Sequence, residues 1–318
     1  MLKIAKLRLK KQAKVGIVFI IIFGLLIFGG IRVYQEYLYR QTYEYKLLQI
    51  NYSLDETKIL INNLKDNELE QILTKEYNEL FVLLADEDYF IWYNLERYLN
   101  FITKNKQETL TKVVALVNVE RDRDFYEDIN DVDISKEYLM LVNKYHYLSK
   151  DYTPKELIRL ELSYAYEGHR LTQKAFNAFK ELHHNAKDDG YTIVVNSGYR
   201  SYEFQNNLWQ SIRLAQGTRR ADQLSARPGH SEHQTGFSID VADFYDGNND
   251  FGKTKAYEWM KENSYKFGFI LRYPKDKEDI TGYSYEPWHF RYVGIETAEK
   301  IFNKDITFDE YYAFFLAR

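Results

Sequence analysis

Residues 15–31 read VGIVFIIIFGLLIFGGI, without a charge, and follow a tail carrying Lys3, Lys6, Arg8, Lys10, Lys11 and Lys14 with no acid among them. A helix apolar on every side has no polar face to offer water, so a soluble domain has no ready place for it. At 1.5 Å per residue the run is at the short end for crossing about 30 Å of hydrocarbon, and its flanks extend it. Arg32 can snorkel, and Tyr34, Tyr37 and Tyr39 suit the far interface. The positive-inside rule then reads residues 1–14 as a cytoplasmic tail and 15–33 as a single-pass signal anchor in the cell membrane. Everything after it is expected to be extracytoplasmic. The rival reading is a cleaved signal peptide, but no small-residue cleavage site is evident after Gly29-Gly30.

The remaining chain is long enough to bury a sizeable core. It has only 4 Pro and 15 Gly in 318 residues, which excludes a low-complexity or collagen-like polymer. Lys and Arg number 43 against 47 Asp and Glu, a net charge of −4, and the one basic stretch is the N-terminal tail. No nucleic-acid partner is expected from that balance. Cysteine is absent, which removes disulfides, thiolate nucleophiles, Cys-ligated zinc and iron–sulfur clusters.

From Tyr34 to about Lys75 there is no Pro or Gly, and Ile59, Ile61, Leu64, Leu69 and Leu73 recur at helical spacing. Helical patterning continues through FVLLADEDYFIWYNLERYLNFI and TLTKVVALVNV to an acid-rich loop, ERDRDFYEDINDVD. We read residues 34–135 as a helical stalk or linker domain. Composition shifts near 136, and residues 136–318 read as a second domain. In it, Thr153-Pro154-Lys155-Glu156 has the form of a capping box with Pro at the first helical position. LTQKAFNAFKELHHNAKDDG reads as an amphipathic helix stopped by Gly190, YTIVVNSG as a buried strand, and Ser201 as the cap of the next helix. GFSIDVADF, FILRYP and WHFRYVG read as further strands, with a helix ending at Gly268 between the first two. Helices and strands intersperse without a regular βαβ repeat, so the expected class is α+β.

The chemistry concentrates in the last third. His230-Ser231-Glu232-His233-Gln234-Thr235-Gly236-Phe237-Ser238-Ile239-Asp240 holds a His and an Asp that a turn and a strand can bring to one point. Glu286-Pro287-Trp288-His289 adds a second carboxylate and imidazole. A catalytic zinc site needs three N/O ligands and an open position, with a nearby carboxylate free to take a proton from water. Two His, one Asp and a spare Glu meet that need in residue type. By residue chemistry alone, a structural His–Asp hydrogen bond fits the same residues.

These segments resemble the VanY-type D-alanyl-D-alanine carboxypeptidases, zinc peptidases of bacterial cell-wall metabolism with the hedgehog/DD-peptidase fold. The likeness rests on S-x-H-x-x-G-x-x-x-D at Ser231–Asp240, E-P-W-H at Glu286–His289 and SGYRSYEFQ at Ser197–Gln205, and spans roughly residues 136–300. Ser238 departs from the Ala common in the family and keeps the position small. The resemblance implies Zn2+ as cofactor, with His233, Asp240 and His289 as its ligands. It implies Glu286 as general base and Arg200 as the group that polarises the scissile carbonyl and steadies the oxyanion. Gln205 and Ser231 would join Arg200 in holding the substrate's terminal residues. Trp288 is expected to pack the pocket floor, and His230 to be either a group behind the ligands or a solvated loop residue. His146, His169, His183 and His184 fall outside the motifs and are read as structural or exposed.

The activity so implied is a membrane-anchored zinc D,D-carboxypeptidase cutting the terminal D-Ala-D-Ala bond of peptidoglycan stem peptides. An L,D-carboxypeptidase acting on tetrapeptide stems shares the motifs. A non-catalytic cell-wall-binding module would be marked by loss of a ligand or the base, and all four residues are present. A structural membrane protein whose stalk is the working part would show neither zinc nor turnover.

Overall fold

The computed structural model describes residues 2–244 and 250–317, and the chain divides into two compact units, residues 1–93 and 94–318. In the first unit α1 (Leu2–Gln41) carries the apolar run. Its segment Val18–Gln41 has the length and composition of a membrane span or a signal sequence. The helical periodicity beyond it does not produce one continuous stalk. The chain turns at Thr42 into α2 (Tyr43–Gln49), α3 (Leu54–Asn63), α4 (Asp66–Ile72) and α5 (Glu79–Ala85). Side-chain caps start these short helices: Thr42 accepts from the Tyr45 amide, Ser53 and Glu56 form a capping box, and Asn78 accepts from the Leu80 amide. Leu47, Leu60, Leu69, Ile72, Phe81 and Leu84 are buried, and α3 packs with α2 and α5.

The second unit begins earlier than the composition shift suggests. In α6 (Leu95–Lys104) and α7 (Leu110–Asn118), Tyr98 Oη and Asn94 Nδ2 both donate to Asn118 Oδ1, at 2.5 and 3.0 Å. Lys112 lies 2.7 Å from the Asp279 carboxylate, and Arg121 Nε donates to the Asp279 carbonyl at 2.6 Å. Residues 94–135 therefore fold with the domain that follows, and the units divide at 93/94 rather than 135/136.

After the acidic loop, β1 (Asn130–Asp131) pairs in parallel with β2 (His146–Tyr147). No helix starts at Pro154. β3 (Leu157–Arg159) instead forms an antiparallel pair with β4 (Arg170–Thr172). Glu156 sits at φ 57, outside helical space, and its carbonyl accepts from the Gln173 amide. The true cap is Thr172, which accepts from the Ala175 amide and opens α8 (Gln173–Asp188). As expected, α8 ends just before Gly190, which is left-handed at φ 94.

The core is a four-stranded antiparallel sheet. β5 (Ile193–Ser197) leads to α9 (Tyr202–Gln216), capped by Ser201, and α10 (Thr218–Leu224). β6 (Ser238–Asp243), α11 (Lys255–Asn263), β7 (Phe269–Leu271), α12 (Glu278–Thr281) and β8 (His289–Tyr292) follow. α13 (Ile295–Lys304) and α14 (Phe308–Tyr311) close the unit. Strand order is β5-β6-β8-β7. One sheet face is apolar: Val195, Ile239, Val241 and Phe290 pack with Phe176, Phe179 and Leu182 of α8 and Met260 of α11. The opposite face carries Ser238, Asp240, His289 and Arg291, all buried. The mixed helix and sheet arrangement is the α+β class expected.

His230 is neither behind the metal candidates nor solvated. Its ring lies 4.9 Å from that of Tyr126 and 5.5 Å from that of Tyr147, and its Nδ1 donates to the Asn143 carbonyl at 2.8 Å. Burial pushes this imidazole down to about 4. With the folded pKa below the unfolded one, the unfolded chain takes up the proton first, so stability present above about 6.5 is lost as pH falls toward 4. His230→Asn keeps a donor for Asn143 but does not titrate. Denaturant titrations across that window should show a pH slope shallower by about one proton in the variant; equal slopes would contradict this account.

Candidate active site

Strand register builds the site. Asp240 on β6 faces His289 on β8 on one side and Ser197 on β5 on the other. The register shifts between Val195 and Ser197, a break in the ladder of the kind that re-aims side chains next to sites. His233 comes from the turn Glu232–Thr235, and Gly236 at φ 69 lets the chain leave that turn for β6. A Cβ there would also sit tightly against the side chains of Leu157, Thr172 and Pro154 at 3.1–3.2 Å, so the positive φ and the close packing both favour glycine.

His233, Asp240 and His289 each present one ligand atom within 4.8 Å of the others, all three buried. Asp240 Oδ1 is 3.4 Å from His233 Nε2 and 3.0 Å from His289 Nδ1. His233 Nδ1 lies 2.7 Å from the Gly198 carbonyl, which only accepts, so the proton sits there and Nε2 keeps its lone pair. His289 Nε2 faces Glu232 Oε2 at 3.4 Å, leaving Nδ1 on the Asp240 side. Two imidazole nitrogens and a carboxylate oxygen on one point are a donor set that fits zinc. Burial pushes His233 down to about 4, toward the neutral form a metal needs. Burial also opposes charge on Asp240 and His289, but here the neighbours win. His233 and His289 hold Asp240 well below the usual carboxylate range. Hydrogen bonds to Asp240 and Glu232 raise His289 to about 9. The pocket between them thus favours a positive charge.

Arg200 and Glu286 flank this cluster. Arg200 Nη2 donates to Asp240 Oδ2 at 2.6 Å and Nε to Ser197 Oγ at 3.0 Å, so the guanidinium is held in a fixed plane. A Glu286 oxygen lies 3.9 Å from His289 Nδ1, too far for a hydrogen bond. Burial raises its pKa, against the attraction of His289. Arg200, Gln205, Ser231, Glu286 and the three candidate ligands all line one pocket of about 270 Å³. Gln205 is buried on α9, its Nε2 donating to Ser225 Oγ and the Ala226 carbonyl, each at 2.9 Å. Trp288 does not pack the floor: it lines the pocket while 40% exposed, which puts it at the rim. Tyr273 and Tyr283, both buried, line the pocket instead. The remaining histidines are structural or part-exposed, as read; His183 Nδ1, for example, donates to the Ile193 carbonyl at 2.7 Å.

Glu232 was not singled out by sequence. It is buried, accepts from Arg272 Nε at 2.8 Å, and lies 3.1 Å from Arg291 Nη1. Burial works against its charge, yet the two guanidiniums hold its carboxyl well below the usual range. Ser238 Oγ donates to its Oε2 at 3.3 Å, so the departure from Ala adds a partner and leaves the ligands untouched.

Residues 168–295 match the family model for VanY, D-alanyl-D-alanine carboxypeptidase. The chain is 39% identical over 201 residues to the putative carboxypeptidase YodJ of Bacillus subtilis (strain 168), covering 59% of this chain and 74% of that protein. The chain belongs to the VanY family of carboxypeptidases. It is also 34% identical over 179 residues to the bifunctional D-Ala-D-Ala dipeptidase and D-Ala-D-Ala carboxypeptidase VanXYC of Enterococcus gallinarum, spanning 55% of this chain and 93% of that one. Among solved structures, the LdcB LD-carboxypeptidase superimposes with a TM-score of 0.56 at 38% identity, covering 60% of this chain and 94% of that one. The VanY match contains every candidate residue from Arg200 to His289.

Gly198 tests the construction of the site. A Cβ on it would run into the Arg170 carbonyl oxygen, and its own carbonyl fixes His233. Gly198→Ala must therefore shift backbone, costing about 1–3 kcal/mol by analogy with overpacking. Denaturant unfolding should register that loss, and wild-type stability in the variant would contradict the geometry.

Proposed function

We propose that this chain is a membrane-anchored zinc D,D-carboxypeptidase that removes the terminal D-alanine from peptidoglycan stem peptides. The observation that carries the reading is the meeting of His233, Asp240 and His289 within 4.8 Å, in one pocket with Glu286, 3.9 Å from His289, and a clamped Arg200. His233 through Nε2, Asp240 through Oδ1 and His289 through Nδ1 would hold the ion. Bound there, zinc supplies a Lewis acid that acidifies water and polarises a carbonyl.

The chain's own groups do the rest. Glu286 accepts the proton of the attacking water and passes it to the leaving amine. Its raised pKa brings it nearer to working pH, where a base that must later act as an acid is most effective. Arg200, held by Ser197 and Asp240, presents guanidinium N–H groups to the oxygen on which charge develops. Gln205 has both Nε2 bonds made within the protein, whereas its buried Oε1 has no partner among the described residues. That acceptor suits an N–H of the substrate's terminal residues, with Ser231 beside it in the pocket lining. The apolar segment Val18–Gln41 serves as anchor, with residues 1–14 cytoplasmic and the catalytic unit outside.

An L,D-carboxypeptidase acting on tetrapeptide stems is the second reading, favoured by the likeness to the LdcB LD-carboxypeptidase. A binding module without catalysis is disfavoured by the retention of all three candidate ligands and Glu286.

Detergent-solubilised, zinc-loaded protein should be incubated with pentapeptide and tetrapeptide stems and the products weighed by mass spectrometry. Loss of one D-alanine from the pentapeptide is the expected result; conversion of tetrapeptide to tripeptide instead would establish the L,D reading. Glu286→Gln should keep its zinc and lose about 10²–10⁴-fold in turnover. No product from either peptide, or full activity in Glu286→Gln, would overturn the assignment.

A further inference from the structure

The polar face of the sheet hides an ionic network that reaches beyond the family-matched residues. Arg272 is fully buried, with Nε donating to Glu232 Oε1 at 2.8 Å and Nη1 to Asp309 Oδ2 at 2.6 Å. Arg291, also fully buried, places Nη1 3.1 Å from the same Glu232 oxygen and donates through Nη2 to the Tyr138 and Met140 carbonyls at 3.1 and 2.9 Å. Asp309 lies on α14, where its Oδ1 accepts from Asn143 Nδ2 at 2.8 Å. The other oxygen of Glu232, Oε2, accepts from Ser238 Oγ at 3.3 Å and is turned to His289 Nε2 at 3.4 Å. Four charges out of water are expensive, and well-packed apolar residues of like volume commonly serve stability as well or better. The network meets the pocket at Glu232, which lines it and faces the edge of His289 opposite Asp240.

We propose that Asp309, Arg272 and Glu232 form a positioning relay that fixes His289 with its proton on Nε2 and its Nδ1 lone pair toward the metal position. The C-terminal segment carrying Asp309, outside residues 168–295, thereby sets how tightly the metal is held. The relay acts in steps. Asp309 anchors one end of the Arg272 guanidinium, and the other end orients Glu232. Arg291, with Nη1 3.1 Å from the same oxygen, adds its charge to the hold on that carboxylate. Glu232 then accepts from Nε2, leaving only Nδ1 able to ligate, an outer-shell arrangement that also raises ligand basicity. They are positioning residues: Arg272 and Asp309 are not in the pocket lining, and Glu232 acts through His289, toward which its Oε2 is turned.

This inference rests on the metal reading proposed above. Zinc affinity of the full chain in detergent should be measured by competition with a chromophoric chelator for wild type, Glu232→Gln and Asp309→Asn. Glu232→Gln should bind zinc about 10–100-fold more weakly, and Asp309→Asn should weaken it in the same direction by less. Nitrogen-15 NMR of zinc-loaded wild type supplies a test without any substitution, and should find the His289 proton on Nε2. Wild-type affinity in folded Glu232→Gln, or ligation of His289 through Nε2, would overturn the relay. Wild-type affinity in Asp309→Asn would overturn the part assigned to the C-terminal segment. If Glu232→Gln does not fold, Asp309→Asn and the wild-type tautomer decide. Failure of wild type itself to bind zinc would instead sink the metal reading.

Discussion

Asp240 and His289 face each other across an antiparallel strand pair, and this register is the constraint on which the second unit depends. Side chains alternate along a strand, so the same pairing that brings Asp240 to His289 sends Ile239 and Phe290 together into the apolar face. A slip of one residue would bury a carboxylate against α8 and expel two core residues. The α8 and α11 core thus holds the register, and the register holds the site. The polar face is closed by the ion network around Glu232, where two buried guanidiniums make a buried carboxylate affordable.

The same register separates the chemistry of two carboxylates. Asp240 has each oxygen engaged, Oδ1 by the imidazoles and Oδ2 by Arg200, and its pKa is driven down despite burial. Glu286 comes from the turn before β8, where burial prevails and its pKa rises. In the proposed function, environments that push two neighbouring carboxyl groups apart in this way suit one to standing charge and the other to proton transfer. The Gly198 carbonyl bears on which nitrogen His233 presents, and in the proposed relay Glu232 does the same for His289.

Much of this was legible in the sequence because the informative spacings are local. Ser231 to Asp240 is a turn, a left-handed glycine and a strand, and Glu286 to His289 is a turn into a strand, so pattern and geometry coincide. The core strands, the Ser201 cap and the Gly190 and Gly268 stops were readable for the same reason. Glu232 was not, because its meaning lies in Arg272, Arg291 and Asp309, which only the tertiary fold brings to it. An acid placed directly between Ser231 and His233 was the one available hint. Thr153-Pro154-Lys155-Glu156 misled in the opposite sense. Its residues satisfy a capping box, but β4 lay ready to pair with Leu157–Arg159, and tertiary pairing overrode local preference. The boundary at 93/94 was hidden similarly, since helices on either side look alike in composition and the contacts that assign α6 and α7 run to Asp279.

The central claim is that two imidazoles and one carboxylate hold a single zinc ion with a position left open. X-ray absorption at the zinc edge of the loaded full-length protein tests it most directly. The account predicts one zinc per chain, a first shell of nitrogen and oxygen only at about 2.0–2.2 Å, and multiple scattering from two imidazoles. A shell containing three imidazoles, or none, would contradict it.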